Sequence, residues 1–486
     1  MERSRSHLRS IIGGSFLLGL GLSIAAGCGS SDESVFPGGN GASSSSGDGT
    51  SSGSSGFGTS GGTSGTSGSS GAPCVGLECK QVACAGGGTT SLSGKVYDPS
   101  GTVPLYNAIV YVPNAELEPF KEGITCDKCG TTPSGKPITT ALTGSTGDFV
   151  LKNVPVGVDV PVVVQIGRWR RKVIIPAAKV QQCADVKLDA GITRLPRNKT
   201  EGEIPKIAIT TGGADSLECF VRKLGVDVEM TNPDGAGRVH IYQGKRAGND
   251  GSKIDNNTPA GTALWDDGAK LKTYDMVILS CEGAENPDTK SAAARANIKE
   301  YLDQGGRLFA SHYHYEWFKN GSTPLPSTAM WTNGSSADNS TDVSVDTTFA
   351  KGVAFGEWLD EVKATTAPKS GIVKMTALKT SVTQIPGVGG TVDTSRRWLY
   401  TPGAPKFYSF NTPIGTKPAD QCGRGVFTDI HVSSGDMPGG TFPANCTTSG
   451  YTAQEKALLF LMMDLASCIQ DDNKPPAPPP AGPAVK

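Results

Sequence analysis

Residues 305–318 have the sequence Gly-Gly-Arg-Leu-Phe-Ala-Ser-His-Tyr-His-Tyr-Glu-Trp-Phe. The first part predicts a short buried strand, Arg307 to Ala310, and the second part is polar and aromatic. The preceding segment, Lys290 to Asp303, has apolar residues at helical spacing, and Gly305 suits the left-handed position that ends many helices. Helix, glycine turn and strand form a unit of an open α/β sheet. Because such sheets bind ligands at the carboxyl ends of their strands, we expect the functional site after this strand.

Further apolar runs fit the same sheet. They lie at residues 206–210, 274–280 and 424–432, and a closing helix is predicted at 452–469. Thr452 and Glu455 have the spacing of a capping box at the start of that helix. Thr211-Gly-Gly213 follows the first run but lacks the spacing of a phosphate-binding loop, so its glycines indicate a tight turn. Apolar strands that alternate with helices predict an α/β region, residues 204–470, with a parallel sheet covered on both faces.

Polar side chains cluster after the central strand. His312, His314 and Glu316 alternate, so an extended chain would place them on one face, and His431 ends another strand. Two imidazoles and a carboxylate suit a divalent metal, and no other cofactor is predicted. A second interpretation is a nucleophilic pair of Ser311 and His431 as candidate catalytic residues. A third is a polar ligand-binding cleft without chemistry, which the sequence favours, and a fourth is a purely structural cluster.

The N-terminus has the pattern of an export signal. A basic start is followed by the apolar run Ile11 to Ile24 and by Ala25-Ala-Gly-Cys28. This end resembles a bacterial lipobox, which implies a signal peptide at 1–27, a lipid on Cys28 and a membrane as partner. Gly29 resembles the signal for outer-membrane sorting, so the predicted location is the bacterial envelope, facing the periplasm or the cell surface. An ordinary secretory signal is the alternative.

Low-complexity segments flank the folded part. Residues 28–73 are mostly Gly, Ser and Thr, which predicts a flexible tether, and the Pro-rich residues 471–486 predict a disordered tail. The formal net charge of −1 gives no basic field, so no nucleic-acid partner is predicted.

Residues 74–192 contain short runs with period-two alternation, which predicts an all-β sandwich. Ser93-Gly-x-Val-x-Asp98 and Gly147-x-Phe-x-Leu-x-x-Val-Pro-x-Gly157 resemble a carboxypeptidase regulatory-like domain. That resemblance implies a transthyretin-like sandwich without catalysis, here with an insertion at 117–138. The run Arg168-Trp-Arg-Arg-Lys172 is predicted to be an exposed charged strand, and a stacking site for a sugar is the alternative.

The α/β region resembles the ThuA branch of the class I glutamine amidotransferase-like proteins. The matching runs are Tyr274-Asp-x-Val-x-Leu279, Gly305-Gly-Arg-Leu-Phe-Ala-Ser-His312 and Gly425-Val-Phe-Thr-Asp-Ile-His431. The resemblance implies a flavodoxin-like fold. It assigns the place of the catalytic cysteine to Ser311 or His312 and that of the catalytic histidine to His431. Because the cysteine is absent and Ser433 replaces the usual glutamate, glutamine hydrolysis is not implied.

Eleven cysteines follow Cys28, which is typical of an oxidising compartment and leaves one unpaired. The predicted pairs are Cys422 with Cys446 and, on weaker grounds, Cys219 with Cys281. Cys126 and Cys129 form a CxxC motif, interpreted as part of structural disulfides rather than as a zinc or redox site. The odd thiol is expected in the second half of the chain, buried and inert.

Two classes of function follow from the sequence. The first is a membrane-tethered extracytoplasmic lipoprotein that binds a ligand or acts as a scaffold, with a carbohydrate or a cell-envelope component as partner. The second is a hydrolase of cell-envelope or extracellular polymer that uses the cleft of His312, His314 and His431. The incomplete catalytic pattern favours binding, and the sequence leaves open whether the protein is an enzyme.

Overall fold

The computed structural model describes residues 74–245, 249–333, 340–386, 394–432 and 435–481. The predicted signal peptide, the lipid site Cys28 and the tether lie outside these ranges. Among the helices of the described ranges, none combines the length and the apolar character needed to cross a membrane.

The N-terminal part of the described chain is built from β-strands. β1 to β7 are Ser91–Lys95, Ile109–Pro113, Pro137–Leu142, Asp148–Lys152, Val160–Ile166, Trp169–Ile175 and Asp185–Lys187. They form a three-stranded sheet of order β4-β1-β7 and a four-stranded sheet of order β3-β2-β5-β6. In β4, Phe149 and Leu151 are buried and their neighbours are exposed, which is the alternation of a half-buried strand. The predicted β content of this region is confirmed.

A ten-stranded sheet forms the centre of the remaining chain. Its strands in chain order are β8 Ile207–Thr210, β9 Met230–Thr231, β10 Val239–Tyr242, β11 Met276–Leu279, β12 Arg307–Ser311, β14 Thr341–Val345, β15 Ile372–Met375, β17 Arg396–Thr401, β18 Ala404–Thr412 and β19 Gly423–Thr428. The order across the sheet is β15-β14-β17-β18-β19-β12-β11-β8-β10-β9. A separate pair consists of β13 Met330–Trp331 and β16 Val382–Gln384.

The large sheet is mixed, which corrects the prediction of a parallel sheet. The six strands from β19 to β9 are parallel, whereas β18, β17, β14 and β15 extend the sheet with antiparallel pairings. The apolar residues of the parallel strands are buried on both faces. Ile209, Ile278 and Phe309 belong to one core cluster, and Ala208, Val277 and Leu308 belong to the other.

Helices cover these faces. α1 to α8 are Ala190–Thr193, Leu217–Arg222, Thr262–Trp265, Gly268–Leu271, Ala292–Asp303, Glu316–Lys319, Ala350–Glu361 and Ala453–Ala466. α5 begins after Ser291, whose side chain accepts a hydrogen bond from the amide of Ala294. α8 begins with the predicted capping box of Thr452 and Glu455. Because an apolar face is covered on each side of the parallel strands, the site is confined to the ends of these strands.

The two groups of strands are in close contact. Arg168 and Arg170 were expected on an exposed strand or at a sugar site, but both are buried and paired. Arg168 forms an ion pair of 2.5 Å with Asp275, the residue before β11. Arg170 pairs with Glu203 in the connection between the two groups. Arg168 and Arg170 therefore stabilise an internal contact. The strand does lie at the edge of its sheet and Lys172 is exposed, so the prediction of an exposed charged strand is confirmed only in part.

The predicted disulfide pairs were wrong. Cys422 pairs with Cys126 and Cys219 pairs with Cys446, while Cys281 is a free, buried thiol. The other bonds are Cys74–Cys79, Cys84–Cys183 and Cys129–Cys468. Each half of the CxxC motif is thus bonded to a different part of the α/β region. The expectation of structural disulfides and of one buried thiol in the second half is confirmed.

The predicted disordered tail is partly packed. Asp472 is buried and pairs with Arg424 at the start of β19, and Arg424 also lies 3.0 Å from Asp464 of α8. Lys351 of α7 completes the group at 2.7 Å from Asp464. Because these charges neutralise one another, the first residues of the tail are held against the sheet. Residues 482–486 lie outside the described ranges.

Candidate metal centre

Three neighbouring parallel strands end at one edge of the large sheet, and each is followed by one candidate metal ligand. Cys281 lies two residues beyond β11, His312 directly follows β12, and His431 lies three residues beyond β19. Since β11, β12 and β19 are adjacent and parallel, their carboxyl ends bring these residues together despite their separation in sequence.

The donor atoms of these residues are close and buried. One ligand atom from each lies within 4.8 Å of the other two. The Cys281 sulfur is 3.5 Å from Nδ1 of His312, and the rings of His312 and His431 are 5.4 Å apart. All three side chains are buried, and among the described residues Nε2 of each histidine has no hydrogen-bond partner. Buried nitrogens without a partner are costly, so both histidines have capacity for a further partner such as a cation.

A strained turn places the His312 ring. His312 has φ +30°, a left-handed conformation that is uncommon for residues with a side chain. It directly follows β12 and is the first residue of a short 3-10 helix, His312–Tyr315. The turn leaves the His312 ring against the Cys281 sulfur and beside the Tyr313 ring at 4.2 Å. Such strain persists only where the surroundings hold it, and it is found most often at functional sites.

Burial keeps the three groups uncharged when no cation is bound. It raises the pKa of the Cys281 thiol to about 12, although backbone amides of Tyr313 and Gly283 act in the opposite direction. It lowers the pKa of His312 to about 2, with His431 and Lys379 adding to the effect. The pKa of His431 is also lowered, mainly by burial. An unassisted thiol in this place is a poor nucleophile, because the reactive form is the thiolate.

A divalent cation changes this balance. A bound dication would take the place of the thiol proton on Cys281, and the neutral imidazoles of His312 and His431 already have the lone pair that would bind it. One sulfur and two nitrogens are the donors that zinc prefers, and three protein ligands leave a position for water or another ligand. The described residues can therefore hold a metal ion, as the sequence suggested, but with a different set of ligands.

His314 and Glu316 do not belong to the group. The chain after β12 is helical instead of extended, so the predicted alternation on one face was wrong. His314 donates through Nε2 to the carbonyl of Ser280 at 2.8 Å and accepts through Nδ1 from Trp317 at 3.1 Å. Both ring nitrogens are occupied, so His314 is a polar residue of the core.

Glu316 and Ser311 have other partners. The carboxylate of Glu316 accepts hydrogen bonds from Arg295 and from Asn320. The hydroxyl of Ser311 donates to the carboxylate of Asp215 at 2.9 Å, while Nε2 of His431 makes no hydrogen bond. The interpretation of Ser311 and His431 as a nucleophilic pair thus gains no support from this geometry.

Sequence reasoning missed Cys281 as a ligand. The sequence predicts a disulfide between Cys281 and Cys219, because each cysteine is expected just beyond a buried strand of the sheet. The signal that would have identified it was its position, directly after an apolar strand and at the same edge as His312 and His431. The odd cysteine count was the second signal, because it required one thiol outside the disulfides.

An open groove lies beside the centre. It has a volume of about 510 Å³, and its lining includes Glu285, Asp288, Tyr313 and Asn333. Tyr313 contacts the groove and also the His312 ring, so it connects the two. The lining is aromatic and acidic, which suits a polar uncharged or a cationic ligand better than an anion.

Comparisons with known proteins do not identify the chain. No family model matches the sequence, and no curated protein matches it. A cytoplasmic protein of Salmonella typhimurium of known structure matches with a TM-score of 0.29 and 10% identity, over 55% of this chain and 100% of that chain. A similarity of this size supports no conclusion about the fold or the activity.

Proposed function

We propose that this protein is an exported, lipid-anchored metal-binding protein in which Cys281, His312 and His431 hold a divalent cation of the zinc type. The observation that carries the proposal is the set of three buried donors within 4.8 Å, two of them imidazoles with an unsatisfied nitrogen. The disulfides support export, because such bonds persist in oxidising compartments.

The bound cation serves ligand binding. Its open position and the groove of Glu285, Asp288 and Tyr313 receive a polar ligand, a carbohydrate or a cell-envelope component. The lipid on Cys28 and the tether of residues 28–73 hold the folded part at the envelope, in the outer membrane. In this proposal the N-terminal strands are the carboxypeptidase regulatory-like domain and the large sheet is the ThuA-like domain.

A hydrolase is the second candidate. A cation with three protein ligands activates a water in many metal hydrolases, and the adjacent groove has room for a polymer chain. The unassisted Cys281 thiol does not support a cysteine nucleophile, since burial raises its pKa to about 12. Hydrolytic activity would therefore depend on the metal and be lost with a chelator.

Metal analysis of the purified full chain tests the proposal. We expect one zinc-type ion per chain, lost in Cys281→Ser and in His431→Ala. His240→Gln is the matched control, because His240 is buried and its two nitrogens bond to Tyr274 and to the carbonyl of Gly237. The control should retain the ion. A metal-free protein that binds no added Zn²⁺ would contradict the proposal.

The anchor has a separate test. Cys28→Ser should move the protein from the membrane fraction to the soluble fraction, and mass spectrometry should find a lipid on Cys28 of the unaltered protein. An unmodified Cys28 would contradict the anchor and leave the metal site unaffected.

A further inference from the structure

We infer that the loop Gly212–Asp215 positions all three metal ligands and that Asp215 sets the charge of the ion that the centre accepts. This inference rests on the proposed metal site and adds a residue that determines its specificity. The loop follows β8, which is the neighbour of β11 in the sheet.

The contacts of the loop reach each ligand strand. The amide of Ala214 donates to the carbonyl of Cys281 at 3.0 Å. Asp215 accepts from the Ser311 hydroxyl at 2.9 Å and from the Val432 amide at 3.0 Å. Ser311 directly precedes His312, and Val432 directly follows His431. One short loop therefore bonds to the first ligand and to the neighbours of the other two.

Glycines allow the loop Gly212–Asp215 to lie close to the neighbouring backbone. A Cβ atom on Gly212 would lie 2.1 Å from the Cys281 carbonyl oxygen, and a Cβ on Gly213 would lie 2.1 Å from the Asn249 carbonyl oxygen. No side chain fits at such distances. Gly212, one of the two glycines for which the sequence predicts a tight turn, thus brings the loop backbone against the Cys281 strand end.

Asp215 also places a negative charge beside the centre. It is buried, and its partners are the Ser311 hydroxyl and the backbone amides of Val432 and Ser216, all uncharged. The negative Asp215 in turn acts on Cys281 and His431. Lys379 acts on both histidines and Glu282 acts on Cys281, but their charges are the same for every bound ion. The thiolate and the Asp215 carboxylate together balance a dication, whereas a monovalent cation leaves one of these two negative charges uncompensated.

The experiment compares a divalent with a monovalent ion. Affinities for Zn²⁺ and for Cu⁺ are measured by chelator competition on the full chain, for the unaltered protein and for Asp215→Asn and Ser311→Ala. Asp215→Asn keeps the size of the side chain and removes its charge, so Zn²⁺ affinity should fall about 10- to 100-fold. Because the Coulomb energy is proportional to the charge of the ion, Cu⁺ affinity should fall only by about the square root of that factor, roughly 3- to 10-fold. Ser311→Ala keeps the charge and removes one contact, so both affinities should fall by a similar factor.

The outcomes separate the two proposals. Equal losses for both ions in Asp215→Asn would overturn the role in charge selection. Unchanged affinities in both variants would overturn the positioning role, while a loss of Zn²⁺ in Cys281→Ser still supports the metal site. An unaltered protein that binds neither ion would overturn the metal site itself. The absorption spectrum of bound Co²⁺ provides a further check, because a displaced ligand changes it even where the variant is fully folded.

Discussion

His312 and His314 are two residues apart and have different roles. His312 lies beside the Cys281 sulfur through Nδ1 and has an unsatisfied Nε2, whereas both nitrogens of His314 are bonded, to Ser280 and to Trp317. Replacing His314 by alanine leaves a buried carbonyl and a buried indole N–H without partners and opens a cavity. We expect His314→Ala to lower the free energy of unfolding by about 2–4 kcal/mol and to leave one metal ion bound after refolding. Urea unfolding and metal analysis measure the two effects.

Metal analysis of His314→Ala can also contradict this assignment. If His314→Ala lost the ion with little change in stability, His314 would be a ligand and the assignment of Cys281 would need revision. His431→Ala is the comparison variant. It removes a side chain whose Nε2 is unpaired, so it should lose the ion with a smaller loss of stability in the metal-free protein.

Glu218 makes the free energy of unfolding depend on pH. Burial raises its pKa from 4.5 to about 7, although hydrogen bonds from the Ser252 hydroxyl and from a backbone amide act in the opposite direction. Between these values the unfolded chain releases a proton that the folded protein keeps, so stability falls as the pH rises from 4.5 to about 7. Glu218→Gln removes this loss. We expect it to be more stable than the unaltered protein at pH 8, by up to about 3 kcal/mol, and similar to it at pH 4.

Glu201→Gln is the control for the direction in which stability changes with pH. Hydrogen bonds from Arg194 lower the pKa of Glu201 to about 2, so Glu201 stabilises the folded protein above pH 4.5 and loses this effect as the pH falls toward 2. Its variant should therefore lose stability at neutral pH, the opposite of Glu218→Gln. Denaturant unfolding at both pH values measures the difference, and parallel pH profiles for Glu218→Gln and the unaltered protein would refute the argument.

Among the elements, those with strong local signals were predictable. The apolar runs of β8, β11 and β12 and the capped helix α8 lie close to their expected positions, because continuous burial and a capping box are local properties. The helical structure of segment 312–316 was not predictable, because its alternation of polar residues fits a strand as well as a turn. His314 in this segment bonds to the carbonyl of Ser280, directly after β11, and to the indole of Trp317. The first partner is distant in sequence and the second lies in the next helical turn.

The turn between β8 and α2 allows a test at the scale of an element. A Cβ on Gly212 would overlap the Cys281 carbonyl, so Gly212→Ala must displace the Cys281 strand end or the loop. We expect a loss of stability of about 1–3 kcal/mol and a weaker binding of Zn²⁺. Gly191→Ala is the matched control, because nothing lies within 4 Å of a Cβ there and the residue belongs to the short helix α1. Calorimetry with Zn²⁺ titration should find the control unchanged, and a normal affinity in Gly212→Ala would contradict the role of the turn.

In the whole molecule, the contacts between the two groups of strands were beyond sequence reasoning. Cys126 and Cys129 are separated from Cys422 and Cys468 by 296 and 339 residues, and no local pattern encodes which of them meet. The same holds for Arg168 and Asp275, whose partnership depends on how the insertion at 117–138 folds back. The edge of the sheet at which the site lies was predictable, because the carboxyl ends of parallel strands meet at one edge.

The disulfide of Cys126 and Cys422 tests this arrangement. The bond joins the insertion to the start of β19. With Cys129–Cys468 intact, it closes a loop of about 50 residues and so restricts the unfolded chain. Cys126→Ala combined with Cys422→Ala should lower the free energy of unfolding by about 2–5 kcal/mol. Metal affinity should remain, because Cys422 precedes β19 whereas His431 follows its opposite end. The paired change Cys84→Ala and Cys183→Ala is the control, since that bond links two segments of the N-terminal strands over 99 residues and should cost a similar amount on the same loop-length argument. Thermal unfolding without reductant measures both, and an unchanged midpoint in the Cys126 and Cys422 variant would mean that the insertion is not bonded to the large sheet in solution.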